Sequence, residues 1–505
     1  MKKPIVALIL VSLVVGLFTF KDYGESWDEP DIYRYGDYAL NAYRYFLHPQ
    51  DLQEFDTNLD FYGPAYFMVT AVVARGFMTL IPSWTIVEAW HLVYFLTFIA
   101  SVYVLYLLAR RWVSEWAAFG AALLFLTQPL LWGHAFINPK DTPFMAFFMA
   151  SIYLGLRMLD EPPRQRVIWL LLSGILLGMT ISFRVLGPLA GLIVLANAFF
   201  KEKQKGFTLA IPYLLIAGIT AYLTWPFLWT SPIANYLESL GLMSQFPFDA
   251  MVLFNGALYP PDQVPRFYFL VLFALQLTEP LLILFLSGAI LLLLSFRQRD
   301  KLEPILLFVG WFLLPVFAVI LLRSNLYDNA RQLYFLFPPM FLAAGFAMDR
   351  LFKYVKHPVS LSLFFLLVCA PAFFSIARLH PFEYVYYNSL IGGVDGAARR
   401  FETDYWGTSF KEAMEYLNET APEQARILVL SGPDDIARRY ARPDLQIVTE
   451  ETDYTQEGNF DYALILTRKN ISEQRCKNSE TVHTIGREGV VFTYIRELGP
   501  EHRCK

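Results

Sequence analysis

Charge is what this chain has least of. Only 17% of its 505 residues are Asp, Glu, Lys or Arg, against 56% hydrophobic, too little to solvate a soluble protein of this length. A net charge of −4 offers no basic field for nucleic acid. There is no G-x-x-x-x-G-K-[ST] loop to cradle the phosphates of a nucleotide-driven pump. Internal repeats and low-complexity stretches are also absent. Cysteine is scarce: Cys369 falls in the last apolar run, while Cys476 and Cys504 share the tail, a compartment that permits a disulfide without fixing one.

What is present is apolar sequence in long blocks. A hydrocarbon core takes about 20 helical residues to cross. Eleven segments meet that requirement, at roughly 4–20, 88–109, 115–133, 142–159, 167–183, 185–200, 207–229, 274–296, 304–322, 332–349 and 358–377. The expectation is a polytopic α-helical membrane protein. Basic residues fall in alternate loops: Lys2/Lys3, Arg110/Arg111, Arg164/Arg166, Lys201/Lys203/Lys205, Arg297/Arg299/Lys301 and Arg350/Lys353/Lys356. The positive-inside rule puts these loops and the N-terminus in the cytoplasm, and an odd number of crossings then puts the tail outside.

Two segments stand apart from that scheme. "FYGPAYFMVTAVVARGFMTLI" (61–81) is apolar but interrupted by Gly63, Pro64 and Arg75, and counting it as a span would invert every later loop; it reads as an interfacial or re-entrant helix. "EPDIYRYGDYALNAYRYFL" (29–47) is amphipathic and reads as a helix along the outer surface. The first span resembles a signal peptide but is followed by "KDYGESW" instead of a small-residue cleavage site, so it is expected to remain as an anchor.

The chain therefore divides into a membrane domain, 1–379, and an extracytoplasmic domain, 380–505. In the latter, "TSFKEAMEYLNETAP" reads as a helix from Thr408 or Ser409, "RILVLS" and "YALILT" as buried strands, and "VHTIGREGVVFTYIREL" as a hairpin turning near Gly486–Gly489. A small α/β domain is expected. Asn418 and Asn470 match the glycosylation sequon, which matters only in a eukaryotic host.

Parity gathers the polar features on one outer face: the Asp28/Glu29 cluster behind Trp27, "GHAFINPKDTPF" (133–144), Arg184, "RSNLYDNARQLYF" (323–335) and "HPFEYVYYNSLIGG" in the tail. Ionisable groups bordering apolar helices are costly, so their convergence argues for a site. A carboxylate there can act as general base on an acceptor hydroxyl. Arg and Lys can hold a phosphate, and aromatics such as Trp27 and Tyr327 can line a sugar pocket. A phosphate-bearing, lipid-anchored donor suits this border.

The order of "WDEP", "NPKDTPF", "YDNAR" and, in the tail, "HPFEYVYYNSLIGGVDGAARRFETDYWG" resembles the GT-C-fold glycosyltransferases that use polyprenyl-phosphate sugars, among them the aminoarabinose transferases and protein O-mannosyltransferases. The resemblance implies sugar transfer from a phospholipid carrier to a lipid, glycan or protein acceptor on the external face. It places the catalytic acid at Asp28, with Glu29 beside it, and a second acid at Asp141 that orients the acceptor or helps bind a divalent metal ion where one is used. Lys140, Arg184 and Arg331 are candidates for the donor phosphate by charge and side. Asp328 and Glu279 are candidates to line the pocket, and His134 is a weak candidate metal ligand.

Each residue also has a plainer role. Asp28 and Glu29 can cap the helix starting near Pro30, and Asp141 the helix after it. Lys140 can snorkel, Asp328 and Arg331 can form an i,i+3 surface pair, and Arg184 can anchor the interface. His134 can be structural, and His380, Glu383 and Tyr387 can simply dock the tail. A transporter is the rival from another class, but inverted repeats and midplane polar residues are missing. A ligase or polymerase acting on lipid-linked glycan remains open.

Overall fold

A computed structural model describes residues 3–55, 57–201, 203–355, 357–449, 460–470 and 474–498. Its bulk is helical. Among the described residues six helices are long and apolar enough to cross a membrane: Ile86–Ala109, Asp141–Asp160, Arg164–Phe183, Arg299–Leu322, Asp328–Phe352 and Pro358–Leu379. Two further crossings are broken, Glu115–Thr127 with Pro129–Ile137 bent by 60°, and Tyr268–Gln276 with Glu279–Leu294 bent by 119°.

Of the eleven spans expected, six, or eight with the bent pairs, meet the length and apolarity of a crossing among the described residues. The breaks have a local cause. Pro129 and Pro280 stand in the first turn of the second helix of each pair, where a missing N–H ends the preceding hydrogen-bond ladder. The segments expected at 4–20, 185–200 and 207–229 form shorter apolar helices, Lys3–Thr19, Pro188–Phe200 and Thr208–Thr224. The helix within 61–81 is Ala65–Leu80, 16 residues. At 1.5 Å per residue it reaches roughly 24 Å, short of an about 30 Å core. Its Arg75 ion-pairs with Asp37 of the helix Glu29–Ala42.

The alternation read from basic loops has a counterpart in the packing. Arg111 pairs with Asp160 at 2.5 Å and with Glu303 at 2.7 Å, so three of those loop regions meet at one end of the bundle. Asp28, Lys140, Arg184 and Arg331 meet elsewhere, at the opposite ends of the helices that carry them.

Two small sheets complete the fold. Strands β1 (Val252–Phe254) and β2 (Ala257–Tyr259) pair antiparallel. In the tail, β3 (Arg426–Leu430), β4 (Gln446–Thr449), β5 (Tyr462–Leu466), β6 (Glu480–Arg487) and β7 (Val490–Glu497) form a sheet of order β4-β3-β5-β7-β6. The inner three are mixed: β3 is parallel to β4 and β5, and β7 is antiparallel to β5 and β6. The hairpin turns where expected, with Glu488 and Gly489 both at positive φ, the geometry that matches strand twist. The helix Phe410–Thr420 buries Phe410, Ala413, Met414 and Leu417, the i, i+3, i+4, i+7 stripe of an amphipathic helix. Cys476 is disulfide-bonded; Cys504, its expected partner, lies outside the described residues.

The tail does not stand off from the helices. Residues 380–409 run through the same hydrophobic core. Gly133 permits this approach, because a Cβ there would fall 2.4 Å from the Tyr384 nitrogen. The loop after the first helix is gripped from the tail as well: Arg439 lies 2.5 Å from Glu25, the Glu25 amide donates to the Tyr440 hydroxyl, and the Trp27 amide donates to the Trp406 carbonyl.

Candidate active site

The site begins with two loop geometries. In "NPKD" the helix Pro129–Ile137 ends at Asn138, whose Oδ1 accepts from the amides of Lys140 (3.0 Å) and Asp141 (2.7 Å). This side-chain turn starts the helix Asp141–Asp160 and brings Lys140 and Asp141 into one cluster, Lys140 against Asp28 and Asp141 against Arg331. Because Oδ1 is occupied, the Asn138 amide nitrogen is the atom facing His134 Nδ1 (3.1 Å) and Asp141 Oδ2 (3.2 Å). In "YDNAR" three successive residues, Asp328, Asn329 and Ala330, take positive φ of 47°, 57° and 56°. Non-glycine residues pay on the order of 1–3 kcal/mol each for such backbone. The Tyr268 hydroxyl accepts from the Asn329 amide, and Asn329 Nδ2 donates to the Glu402 carbonyl, holding the turn so that Arg331 projects inward.

The outcome is a chain of ion pairs. Arg331 lies 3.1 Å from Asp28, 2.8 Å from Asp141 and 3.6 Å from Asp328. Lys140 lies 2.9 Å from Asp28, and Arg184 closes on the other oxygen of Asp141. Arg468, from the tail after β5, pairs with the far oxygen of Asp328 and lies over the Trp27 ring at 5.5 Å. Trp406 covers Arg331 at 4.8 Å.

Accessibility separates the three carboxylates. The Asp28 side chain is 22% exposed, against 1% for Asp141 and 7% for Asp328. Burial by itself raises the Asp28 pKa, but the charges of Lys140 and Arg331 outweigh it and hold the carboxyl below its ordinary value. Although Asp28 is the residue before the helix Glu29–Ala42, its side chain makes no capping hydrogen bond.

An apolar cavity of about 450 Å³ opens beside this cluster. Leu186, Leu240, Leu314 and Leu322 line its body, and Tyr62, Arg184, Tyr327 and Gln332 its polar end. Buried there without hydrogen-bond partners are Arg184 Nε and both amide atoms of Gln332; Arg331 Nε and Trp406 Nε1 are likewise unpaired.

Residues 67–229 match the family described as dolichyl-phosphate-mannose-protein mannosyltransferase. Over that stretch, about a third of its length, the chain is similar to this family. No curated protein matches it. In fold, the chain is similar to ArnT from Cupriavidus metallidurans in the apo state (TM-score 0.52, 15% identity, 98% of this chain and 97% of that one). ArnT bound to undecaprenyl phosphate gives a TM-score of 0.54 at 14% identity over the same shares, 98% and 97%. The archaeal oligosaccharyltransferase AglB from Archaeoglobus fulgidus, in complex with an inhibitory peptide and a dolichol-phosphate, gives 0.54 at 11% identity over 94% of this chain and 70% of AglB.

Other candidate residues lie apart from the ion-pair chain. Glu29 is fully buried and turned away from Asp28: it accepts from the Ser26 amide (2.7 Å) and the Tyr33 hydroxyl (2.9 Å) and faces His91 at 3.1 Å. It braces the turn that presents Asp28 through its bond from the Ser26 amide, while the Ser26 hydroxyl donates to the Ile137 carbonyl. Glu279 accepts from the Ser389 amide, in the tail. His134 is enclosed by Asn138, Tyr334 and Tyr405. His380 and Glu383 tie the tail to Asp22 and Tyr23, and Tyr387 buttresses Asn329.

A divalent metal does not fit this donor set. Among the described residues no three His, Cys, Asp or Glu side chains group as ligands, and Asp28 and Asp141 already face cations. Trp406, Arg468, Tyr62 and Gln332 escaped the sequence reading. Trp406, Gln332 and Tyr62 lie within the noted segments "DYWG", 323–335 and 61–81 but were not singled out there, and Arg468 had no signal.

Proposed function

We propose that this transferase moves a glycosyl group from a polyprenyl-phosphate sugar to an acceptor hydroxyl on the extracytoplasmic face of the membrane. One observation carries the donor half: an apolar cavity that ends in Arg184 and Gln332, where Arg184 Nε and both Gln332 amide atoms are buried without partners. A lipid tail suits the body of such a cavity, and phosphate oxygens suit the unpaired N–H groups at its end. The placement of basic residues in alternate loops supports the orientation.

Asp28 is the base. Its carboxylate is ionised, the most exposed of the three, and next to the cations that would meet the phosphate. It takes the proton of the acceptor hydroxyl as that oxygen attacks the anomeric carbon. The bond from that carbon to the phosphate oxygen breaks, and the electron pair leaves with the phosphate, where Arg331 and Arg184 offset the developing charge. A single displacement inverts the anomeric configuration. Asp141 stays charged between two arginines and fixes both, a positioning role.

The test is sugar transfer by membranes containing wild type or Asp28→Asn, matched for expression, with a panel of polyprenyl-phosphate sugars and native membrane extract as acceptor. Transfer by wild type alone, at least about 10²-fold above the variant, is expected. Equal transfer by both would remove Asp28 from the chemistry.

A further inference from the structure

A second, larger cavity borders the first. It measures about 820 Å³, within the range of small-molecule sites, and lies between the 49–61 loop and the 226–238 segment. The indole of Trp225 donates to the Asp60 carbonyl at 2.9 Å, which ties the two walls together. Phe61 lines both cavities, and its neighbour Tyr62 packs its ring against Lys140 (5.4 Å) and Arg184 (5.6 Å). The wall shared by the two cavities thus adjoins Lys140 and Arg184, the cations paired with Asp28 and Asp141.

The chemistry of the two cavities differs sharply. Glu54, Asp60 and Glu238 line the larger one, with the rings of Tyr38, Phe61 and Phe227, and amide side chains fill the gaps. No lysine or arginine lines it among the described residues. Arg34, over the Phe55 ring at 5.8 Å, is paired with Asp31. Asp60 is nine-tenths buried; its Oδ2 accepts from the Phe55 amide at 2.7 Å, while its Oδ1 takes no protein hydrogen bond. Carboxylates and amides accept from hydroxyl groups, and flat rings offer faces to C–H surfaces. Anionic ligands meet only repulsion here.

We infer that this acid-lined cavity is the acceptor subsite and that it takes a neutral glycan, excluding phosphorylated or otherwise anionic acceptors. The inference rests on the glycosyltransferase reading above and deepens it. Glycan hydroxyls bond Glu54, Asp60 and Glu238, sugar rings stack on Tyr38 or Phe227, and the reacting hydroxyl passes Tyr62 to reach Asp28.

The test uses the full-length protein in nanodiscs and a panel of neutral oligosaccharides, each also as its phosphate monoester, with a lysine-rich peptide as a third probe. Binding is read by calorimetry. Glu54 and Glu238 are exposed, so the Glu54→Lys/Glu238→Lys variant preserves the fold. Wild type is expected to bind a neutral member at least about tenfold more tightly than its phosphate ester, and the double variant to reverse that preference. Phosphate esters binding as well as their neutral parents, an unchanged preference in the variant, capture of the peptide alone, or binding of no glycan would each overturn the inference. Release of free sugar from polyprenyl-phosphate sugar into water is followed in parallel. Loss of that release with glycan binding intact defeats the donor reading and leaves the subsite standing.

Discussion

Arg331 Nη2 lies 3.1 Å from Asp28 Oδ2, and this pair keeps a carboxylate charged at the edge of an apolar cavity. The same guanidinium reaches Asp141 through Nη1. Such planar two-ended bonding is specific to arginine. Arg331→Lys keeps the charge but serves one partner at a time, and is expected to lower the transfer rate about 10²–10³-fold. Rates in nanodiscs at saturating donor check this; a loss under threefold would rule out a bridging role.

The Asp28 pKa gives a signed pH dependence. Its folded value is depressed below 3.8 because Lys140 and Arg331 outweigh burial, so the base is already deprotonated throughout mildly acidic and neutral conditions. Wild-type transfer should not fall through loss of this base between about pH 8 and 5. Lys140→Met removes one of the two opposing charges, and the acid limb of the pH–rate profile should then move upward. An unmoved limb would mean that the Lys140 pair does not tune the base.

Glu25 works in the opposite direction. Burial pushes its carboxyl up to about 8 from 4.5, against the pull of Arg439. The native state then binds more protons than the unfolded chain between those values, so this group's contribution to stability declines as pH rises from 4.5 to 8. Glu25→Gln should flatten that decline. Thermal unfolding of both proteins across the interval reads it directly, and parallel slopes would refute the assignment.

Ala330 is fully buried at φ 56°. Ala330→Gly should leave stability unchanged or raise it by up to about 1 kcal/mol, whereas Ala330→Val should cost about 1–3 kcal/mol and displace Arg331. Denaturant unfolding measures the first effect and the transfer rate the second. Equal stability of both variants would show that the left-handed turn is not strained.

Local pattern carried much of this protein. The five-residue strands β3 and β5, the Glu488–Gly489 hairpin and the stripe of Phe410–Thr420 were legible because alternation, turn chemistry and helical period are written within a few residues. Asp28, Lys140, Asp141, Arg184 and Arg331 could be grouped because loop parity assigns each to one end of a helical bundle. The bends at Pro129 and Pro280 were hidden inside apolar runs long enough to pass as straight spans. Glu29 was ambiguous for another reason: neighbouring acids look alike in sequence, and only side-chain direction separates the proposed base Asp28 from Glu29, which bonds to its own turn.

The sequence by itself determined that the chain is a helical membrane protein with a polar tail and that one face gathers its ionisable loop residues, since hydropathy and side-of-membrane counting need no tertiary contact. The tertiary structure decided what depends on distant residues meeting. It brought Trp406 over Arg331 and Arg468 onto Asp328, turned Glu29 inward, and enclosed two adjoining cavities of opposite character. A cavity is lined by residues far apart in the chain, so its shape and polarity emerge only when the helices are packed.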